Sequence, residues 1–428
     1  QQMKKSIYIA AIILTVVAGC KKDFLDRTPL IQPTTTSAFQ TYDNFQTYAW
    51  GLYDYFGGYN SGQDFSGSTY LIASQECTSD NMAKTISGGQ SPYAYQTKII
   101  PSTGGATRSL EISGWNFSYV RQVNTMLDNV DKSAMSQADK DHWRSVGYFF
   151  RALRYYDLIA AFGDVPWIEN TLTDTSSSVL FAARTPRDVV AKNILDNLTF
   201  AESHIKPNGD GANTINVNVV RALLSRFGLF EGTWRKYHGL SDADTYLQAC
   251  KTYSEKLLPT FPSCMSSYDD VYNTIGLGGK PGIILYKQYA DKLSDHLFGP
   301  RLMGSTSLNL DLTKDAVESY LCKDGKPIST SAVYAGDNTM YDAFRNRDLR
   351  LYWTVVPPYK VTVGAPPNFT LTANPADAEY INIMAGLSAS NKRLPIHQWS
   401  QNMNTGTAIS MSPHFLLDNK GQPQAISQ

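Results

Sequence analysis

The sequence holds no C-x-x-C pair among its five cysteines and no H-x-x-x-H among its six histidines. The first absence removes tetrahedral zinc and thioredoxin-like chemistry, and the second removes a helical zinc-protease site. No G-x-S-x-G nucleophile elbow occurs. Gly276-x-Gly278 is followed by Pro281 where a dinucleotide loop needs its third glycine. Gly279-Lys280 and Gly325-Lys326 lack the upstream glycine of a phosphate loop. Net charge is missing too: 38 basic and 38 acidic side chains cancel, which argues against nucleic acid or an anionic surface as a partner. Beyond Val17 no apolar run approaches the length of a membrane-spanning helix. Asp377-Ala378-Glu379 could be read as a glycosidase carboxylate pair, but on a proline-containing segment it reads better as a solvated helix start. The expectation is a chain with no catalytic residues, no metal site and no cofactor.

What is present begins with a leader. Lys4 and Lys5 follow Met3, then Ser6 to Val17 is apolar but too short to span a bilayer, and Val17-Ala18-Gly19-Cys20 closes the segment. Basic, apolar and small-residue regions in this order resemble a bacterial lipobox. They predict a signal peptide over 1–19, removed before Cys20, with the Cys20 thiol acylated. Several acyl chains anchor stably where one alone is marginal. Residues 20–37, with Pro29, Pro33 and Thr34-Thr35-Thr36, read as a tether. Cys77, Cys250, Cys264 and Cys322 remain; export would permit their oxidation, and free buried thiols are at least as consistent with Cys250 and Cys322 among apolar neighbours.

Aromatics are plentiful, with 26 Tyr, 18 Phe and 7 Trp in 428 residues. Many fall at helical spacing. The pattern predicts helices from Ala38 to Phe56, Ser109 to Val130 and Ser136 to Phe162, the last ended by Gly163 and Pro166. Thr185 is expected to cap a further helix with Pro186 at its first position. Asn216 or Asn218 opens another, and Ser241 with Asp244 starts one running to Leu258. Antiparallel helix pairs on short turns cannot bury their stripes alone and tend to stack as repeats. After Pro262, glycines and prolines break the chain, and Ile283 to Tyr286 and Leu351 to Val356 read as short strands. The charged group Arg345, Arg347, Asp348 and Arg350 is expected to pin an irregular segment by internal ion pairs, with Asp342 and Asp348 as partners.

Several segments together resemble the SusD/RagB family of Bacteroidetes lipoproteins. They are Cys20-Lys21-Lys22-Asp23-Phe24-Leu25-Asp26, then Phe150 to Leu158 with Phe162-Gly163-Asp164-Val165-Pro166. Ala222 to Arg226, Cys322 to Ile328 and Phe344 to Leu351 follow, with Leu349 where proline is common in the family. The resemblance implies a mainly α fold of tetratricopeptide-like helix pairs covered by long loops and short strands. It implies a single domain over 38–428, without the C-terminal helix that members usually carry, so that the last repeat is expected to be missing. It also implies a lipid-anchored, surface-exposed outer-membrane protein that captures an oligosaccharide, or in some relatives a peptide, as the lid subunit of a SusC-like TonB-dependent barrel. A surface glycan-degrading enzyme is the alternative, and an adhesin is a third reading that helical periodicity disfavours.

Sugar rings stack on flat aromatic faces while their hydroxyls need polar partners, so a binding surface wants both on loops held by a scaffold. Two stretches supply this. One carries Asp80, Asn81, Lys84, Tyr93, Tyr95 and Gln96, and its position resembles the family's ligand loop. The other, Tyr286 to Met303, carries Tyr289, His296, Phe298 and Arg301.

Overall fold

The computed structural model describes residues 38–56, 82–84, 115–266, 271, 276–289, 310–312, 314–337, 340–354, 360–363 and 369–372. The leader, Cys20, the 20–37 tether, Cys77 and Asp377-Ala378-Glu379 lie outside them. The first helix, α1 (Tyr42–Leu52), starts later than its apolar spacing predicts. Thr41 forms a capping box with Asn44 and sets the start there. A short 3-10 turn, Tyr53–Tyr55, continues it.

Helix α2 (Ser118–Val130) is likewise shorter than predicted; residues 115–117 are not helical. Helix α3 (Gln137–Phe162) lies where predicted. The Ser136 hydroxyl accepts from the Asp139 amide at 3.2 Å, and Gly163, at φ 70°, donates its N–H to the Ile159 carbonyl. A positive φ favours glycine, which has no Cβ to clash. A short α4 (Ser177–Leu180) follows.

Helix α5 (Arg187–His204) corrects the expected cap. Pro186, not Thr185, stands at the N-cap. Thr185 is engaged elsewhere, bridging the Val165 backbone and accepting from the Trp167 amide at 3.1 Å. Asp164 serves the helix start instead, accepting from the Arg187 amide at 2.8 Å. Helix α6 (Val217–Tyr237) is capped by Asn216, whose side chain accepts from the Asn218 and Val219 amides. Helix α7 (Ala243–Leu257) lacks the expected capping box. Its N-cap is Asp242, held at φ 63° with no side-chain bond to the helix amides, while the Ser241 carbonyl accepts from Arg235.

Helix α3 is the centre of the core. Its Trp143, Val146, Phe150 and Leu158 are fully buried, with α2 and α5 packed on it. The pair α6–α7 packs closest. A Cβ at Gly228 would stand 2.6 Å from the Tyr246 carbonyl oxygen and 2.7 Å from the Cys250 nitrogen, so only glycine lets the two backbones approach this far. Buried charge links α5 to α6: Glu231, wholly buried, accepts from Arg187 at 2.6 Å and from Arg235 at 3.0 Å, and Arg235 also reaches Asp188 at 2.8 Å. Among the described residues no helix is long and apolar enough to cross a membrane.

Beyond α7 the elements are short: β2 (Leu310–Leu312) pairs antiparallel with β1 (Met82–Lys84), which precedes α2, then α8 (Lys314–Glu318), α9 (Met340–Phe344) and α10 (Leu349–Thr354) follow, and β3 (Lys360–Val363) pairs with β4 (Phe369–Thr372). The strand predicted over Leu351 to Val356 is α10 through Thr354. Asp348 explains this, because its carboxylate accepts the Arg350 amide at 2.9 Å and starts a helix where side-chain type alone favours a strand. Ile283 to Tyr286 is irregular rather than a strand. The charged group behaves as expected at its edges, with Arg345 on Asp342 and Arg350 on Asp348. Arg347 differs: it is buried and donates to the Ala343, Val317 and Tyr320 carbonyls, tying α8 to α9 through backbone rather than acids. Cys250, Cys264 and Cys322 are free thiols, and only Cys322 is fully buried.

Candidate functional site

The C-terminal end of α1 carries two stripes. Phe45, Ala49 and Leu52 point into the core and are buried. Trp50 sits one residue past Ala49, about 100° further round the helix, and 47% of it is exposed. Trp50 and Tyr53, three apart, share that face with ring centroids 5.2 Å apart, and Phe56 extends the row at 6.2 Å from Tyr53. These three rings form a partly open aromatic row.

Tyr53 is fixed from behind. Its ring meets Phe150 of α3 edge-on at 5.3 Å, and its phenol oxygen accepts the Ile215 amide at 2.7 Å. Burial pushes the Tyr53 phenol well above its ordinary value, so it stays protonated.

The opposite wall comes from residues 285–288, more than 200 positions away in sequence. Asn213 holds them. Its side-chain Nδ2 donates to the Tyr286 carbonyl at 2.7 Å and its Oδ1 accepts the Tyr286 amide at 3.0 Å. One amide side chain thereby does what a neighbouring strand would do, which is why this stretch needs no sheet. Asn213 sits at φ 58°, a left-handed conformation that asparagine tolerates well. The Tyr286 hydroxyl lies over Gly278, where any Cβ would come within 2.8 Å of it. Lys287 crosses back and donates from Nζ to the Phe56 carbonyl at 3.0 Å.

Between these walls lies a cleft of about 340 Å³, lined by Trp50, Tyr53, Phe56, Asn213 and residues 285–288. That volume falls within the range of small-molecule sites, and the mix of aromatic faces with a few placed polar groups is what such sites use. Among the described residues no Asp or Glu lines it.

The loop that presents Asn213 is anchored by a polar cluster. Asp210 accepts from the Tyr42 hydroxyl of α1 and pairs with the wholly buried His142 of α3 at 3.1 Å. The Lys206 amide donates to His142 Nδ1 at 3.2 Å, which assigns the proton to Nε2 and makes it the donor to Asp210. Burial works to raise the Asp210 carboxyl, but the bonds from His142 and Tyr42 and the nearby Lys206 charge outweigh it and hold it below the ordinary range.

A second hollow of about 290 Å³ lies between the first turn of α2 and residues 168–172. Its guanidinium, Arg121, already donates to the Leu172 carbonyl at 3.0 Å, and Phe117 is its one aromatic lining residue, with no paired rings. The first cleft is therefore the stronger candidate.

Of the residues singled out from sequence, Tyr289 is described, half-buried and three positions past Tyr286. The backbone of Lys84 pairs with Leu310, which joins the first candidate stretch to the chain just beyond the second. Asp80, Asn81, Tyr93, Tyr95, Gln96, His296, Phe298 and Arg301 lie outside the described residues. Trp50, Tyr53, Phe56 and Asn213 were missed. The signal for Trp50 was present in its phase, since a tryptophan one step off the buried Phe45–Ala49–Leu52 stripe has to face elsewhere.

The family profile named SusD-like, described as "Starch-binding associating with outer membrane", matches residues 23–227, and the profile of the SusD family matches residues 286–413. Among solved structures, the chain is similar to a SusD-like carbohydrate binding protein from Bacteroides fragilis, at 20% identity and a TM-score of 0.57, covering 74% of this chain and 60% of that one. A SusD-like protein from the same organism matches at 15% identity and a TM-score of 0.55, covering 81% and 66%. A SusD superfamily protein from Parabacteroides distasonis matches at 18% and 0.52, covering 67% and 61%. The chain thus spans less than two thirds of the length of these solved relatives. No curated protein matches it. Two profiles of one family, matched in order along a chain that has that family's helix-pair fold, make this chain a member of the SusD/RagB family.

Proposed function

We propose that this protein is a non-catalytic, glycan-binding surface lipoprotein that serves as the capture and lid subunit of a SusC-like TonB-dependent importer. Acylation of Cys20 anchors it in the outer membrane, residues 20–37 tether it, and residues 38–428 form one binding domain. The observation that carries the binding reading is the open row Trp50–Tyr53–Phe56 facing residues 285–288 across a cleft rooted on a packed helical scaffold. Stacked apolar sugar faces suit such a row, and Lys287 and Gln288 offer partners for ring substituents. The stretches around Tyr93 and Phe298, which lie outside the described residues, stay candidates for ligand contact on the sequence alone. A glycosidase needs two carboxylates flanking the scissile bond, and the described lining residues include none, which favours binding over hydrolysis at this place. The peptide-binding alternative has no observation in its favour here.

The test is titration calorimetry of the full chain against an oligosaccharide panel. Trp50→Ala should weaken binding about fivefold to tenfold, since a lost stacking contact is worth about 1 kcal/mol beyond buried area. Binding of no glycan, or equal affinity in the folded variant, would remove the cleft from the function.

A further inference from the structure

We propose that the saccharide held in this cleft carries an anionic group, a carboxylate or a sulfate, and that Lys287 is the residue that selects for it. The inference rests on the glycan-binding reading above. It starts from charge. Among the described residues Lys287 is the one charged side chain lining the cleft, and no carboxylate of theirs lines it. Among the described residues none pairs with Lys287 either, whereas Lys206 pairs with Asp139 and Lys256 with Glu202, each at 3.0 Å.

The ammonium is also held in place. Its bond to the Phe56 carbonyl uses one of three N–H donors and fixes the head at the end of the aromatic row. Trp50, Tyr53 and Phe56 make that wall apolar, and charge interactions strengthen as water is excluded. A neutral sugar closing the cleft would strip water from the ammonium and leave it without a counter-charge. An anionic substituent would replace that water with a charge-assisted bond. The neighbouring amide is largely committed, because the Asn213 Oδ1 and one Nδ2 hydrogen are bound to the Tyr286 backbone. Specific polar recognition therefore falls to Lys287 and Gln288, and only Lys287 discriminates by charge.

The experiment uses the full chain and matched probes that differ only in charge. Oligogalacturonides are titrated against their fully methyl-esterified forms, and sulfated dextran oligomers against plain dextran oligomers. The same calorimetry covers a panel of neutral oligosaccharides and an acidic peptide. The expected result is that the tightest binder is an anionic sugar, favoured about tenfold or more over its charge-blocked form. Lys287→Gln should erase that preference by weakening the anionic probes far more than their neutral counterparts, and Lys287→Arg should retain part of it. Raising the salt concentration should narrow the preference in the wild type only. Equal or tighter binding of the charge-blocked form, with affinity still lost in Trp50→Ala, would overturn the inference and leave the glycan reading standing. So would an equal loss on both probe types in Lys287→Gln. Binding of the acidic peptide in place of every glycan, or glycan binding untouched by Trp50→Ala, would overturn both.

Discussion

Two regions of this molecule handle polar and aromatic groups in opposite ways. Between α5, α6 and α7 the polar chemistry is closed on itself: Glu231 is wholly buried and both its oxygens are bound by Arg187 and Arg235. At the cleft the chain leaves an aromatic row half open and a lysine that, among the described residues, is anchored by a backbone carbonyl alone. The first arrangement is complete without a visitor. The second has unused recognition capacity, and that difference marks where the scaffold ends and the site begins. A family of binders needs both, because a ligand surface on mobile supports would lose affinity to ordering costs.

The contrast can be broken hardest at Glu231. Glu231→Ala would leave Arg187 and Arg235 buried without their counter-charge, so unfolding by denaturant should show a loss of about 3–5 kcal/mol. A loss under 1 kcal/mol would mean that the network relaxes into water and that the scaffold is not closed. Gly228→Ala comes next. The added methyl meets the backbone of α7, which cannot move aside as a side-chain tip would, and overpacking of this kind costs about 1–3 kcal/mol. Stability unchanged within error would contradict the close approach of α6 and α7.

Acid should act on the joint between the two regions. Asp210 titrates below its ordinary range in the folded state, so it contributes stability that is fully present above the unfolded carboxyl value near about pH 4. That contribution is lost as pH falls through the lower folded value. Asp210→Asn should therefore lower stability at neutral pH and flatten the acid limb of the stability profile, and an unaltered acid limb would rule this group out. Smaller still is the effect expected of Asn213→Gly. Glycine keeps the left-handed backbone but removes both bonds to Tyr286. Glycan affinity should fall about threefold to tenfold, with the melting temperature nearly unchanged.

Sequence reading succeeded where the determinant was local. Ser136, Gly163 and Asn216 each mark a helix end from within a few residues, and α3 was legible to its last turn. It failed where a distant partner competes for the same atoms. Thr185 does not cap α5 because the Val165 and Trp167 backbones claim it. Ile283 to Tyr286 is no strand because Asn213 satisfies its backbone from 73 positions away. The cleft was half legible: Tyr286 opens one candidate stretch, but periodicity placed Trp50 on the first helix without giving the direction it faces. Amphipathic counting registers that a residue is apolar and on a helix, and only its phase against Phe45 and Leu52 shows which neighbour it faces.

The central claim is that ligand engages the cleft while the scaffold stays as it is, and hydrogen exchange of the full chain with and without a bound oligosaccharide tests it most directly. Protection should rise in residues 50–56 and 284–289 and stay unchanged across Val217–Leu257. Protection confined to Val217–Leu257, or none in either wall of the cleft with ligand demonstrably bound, would contradict it.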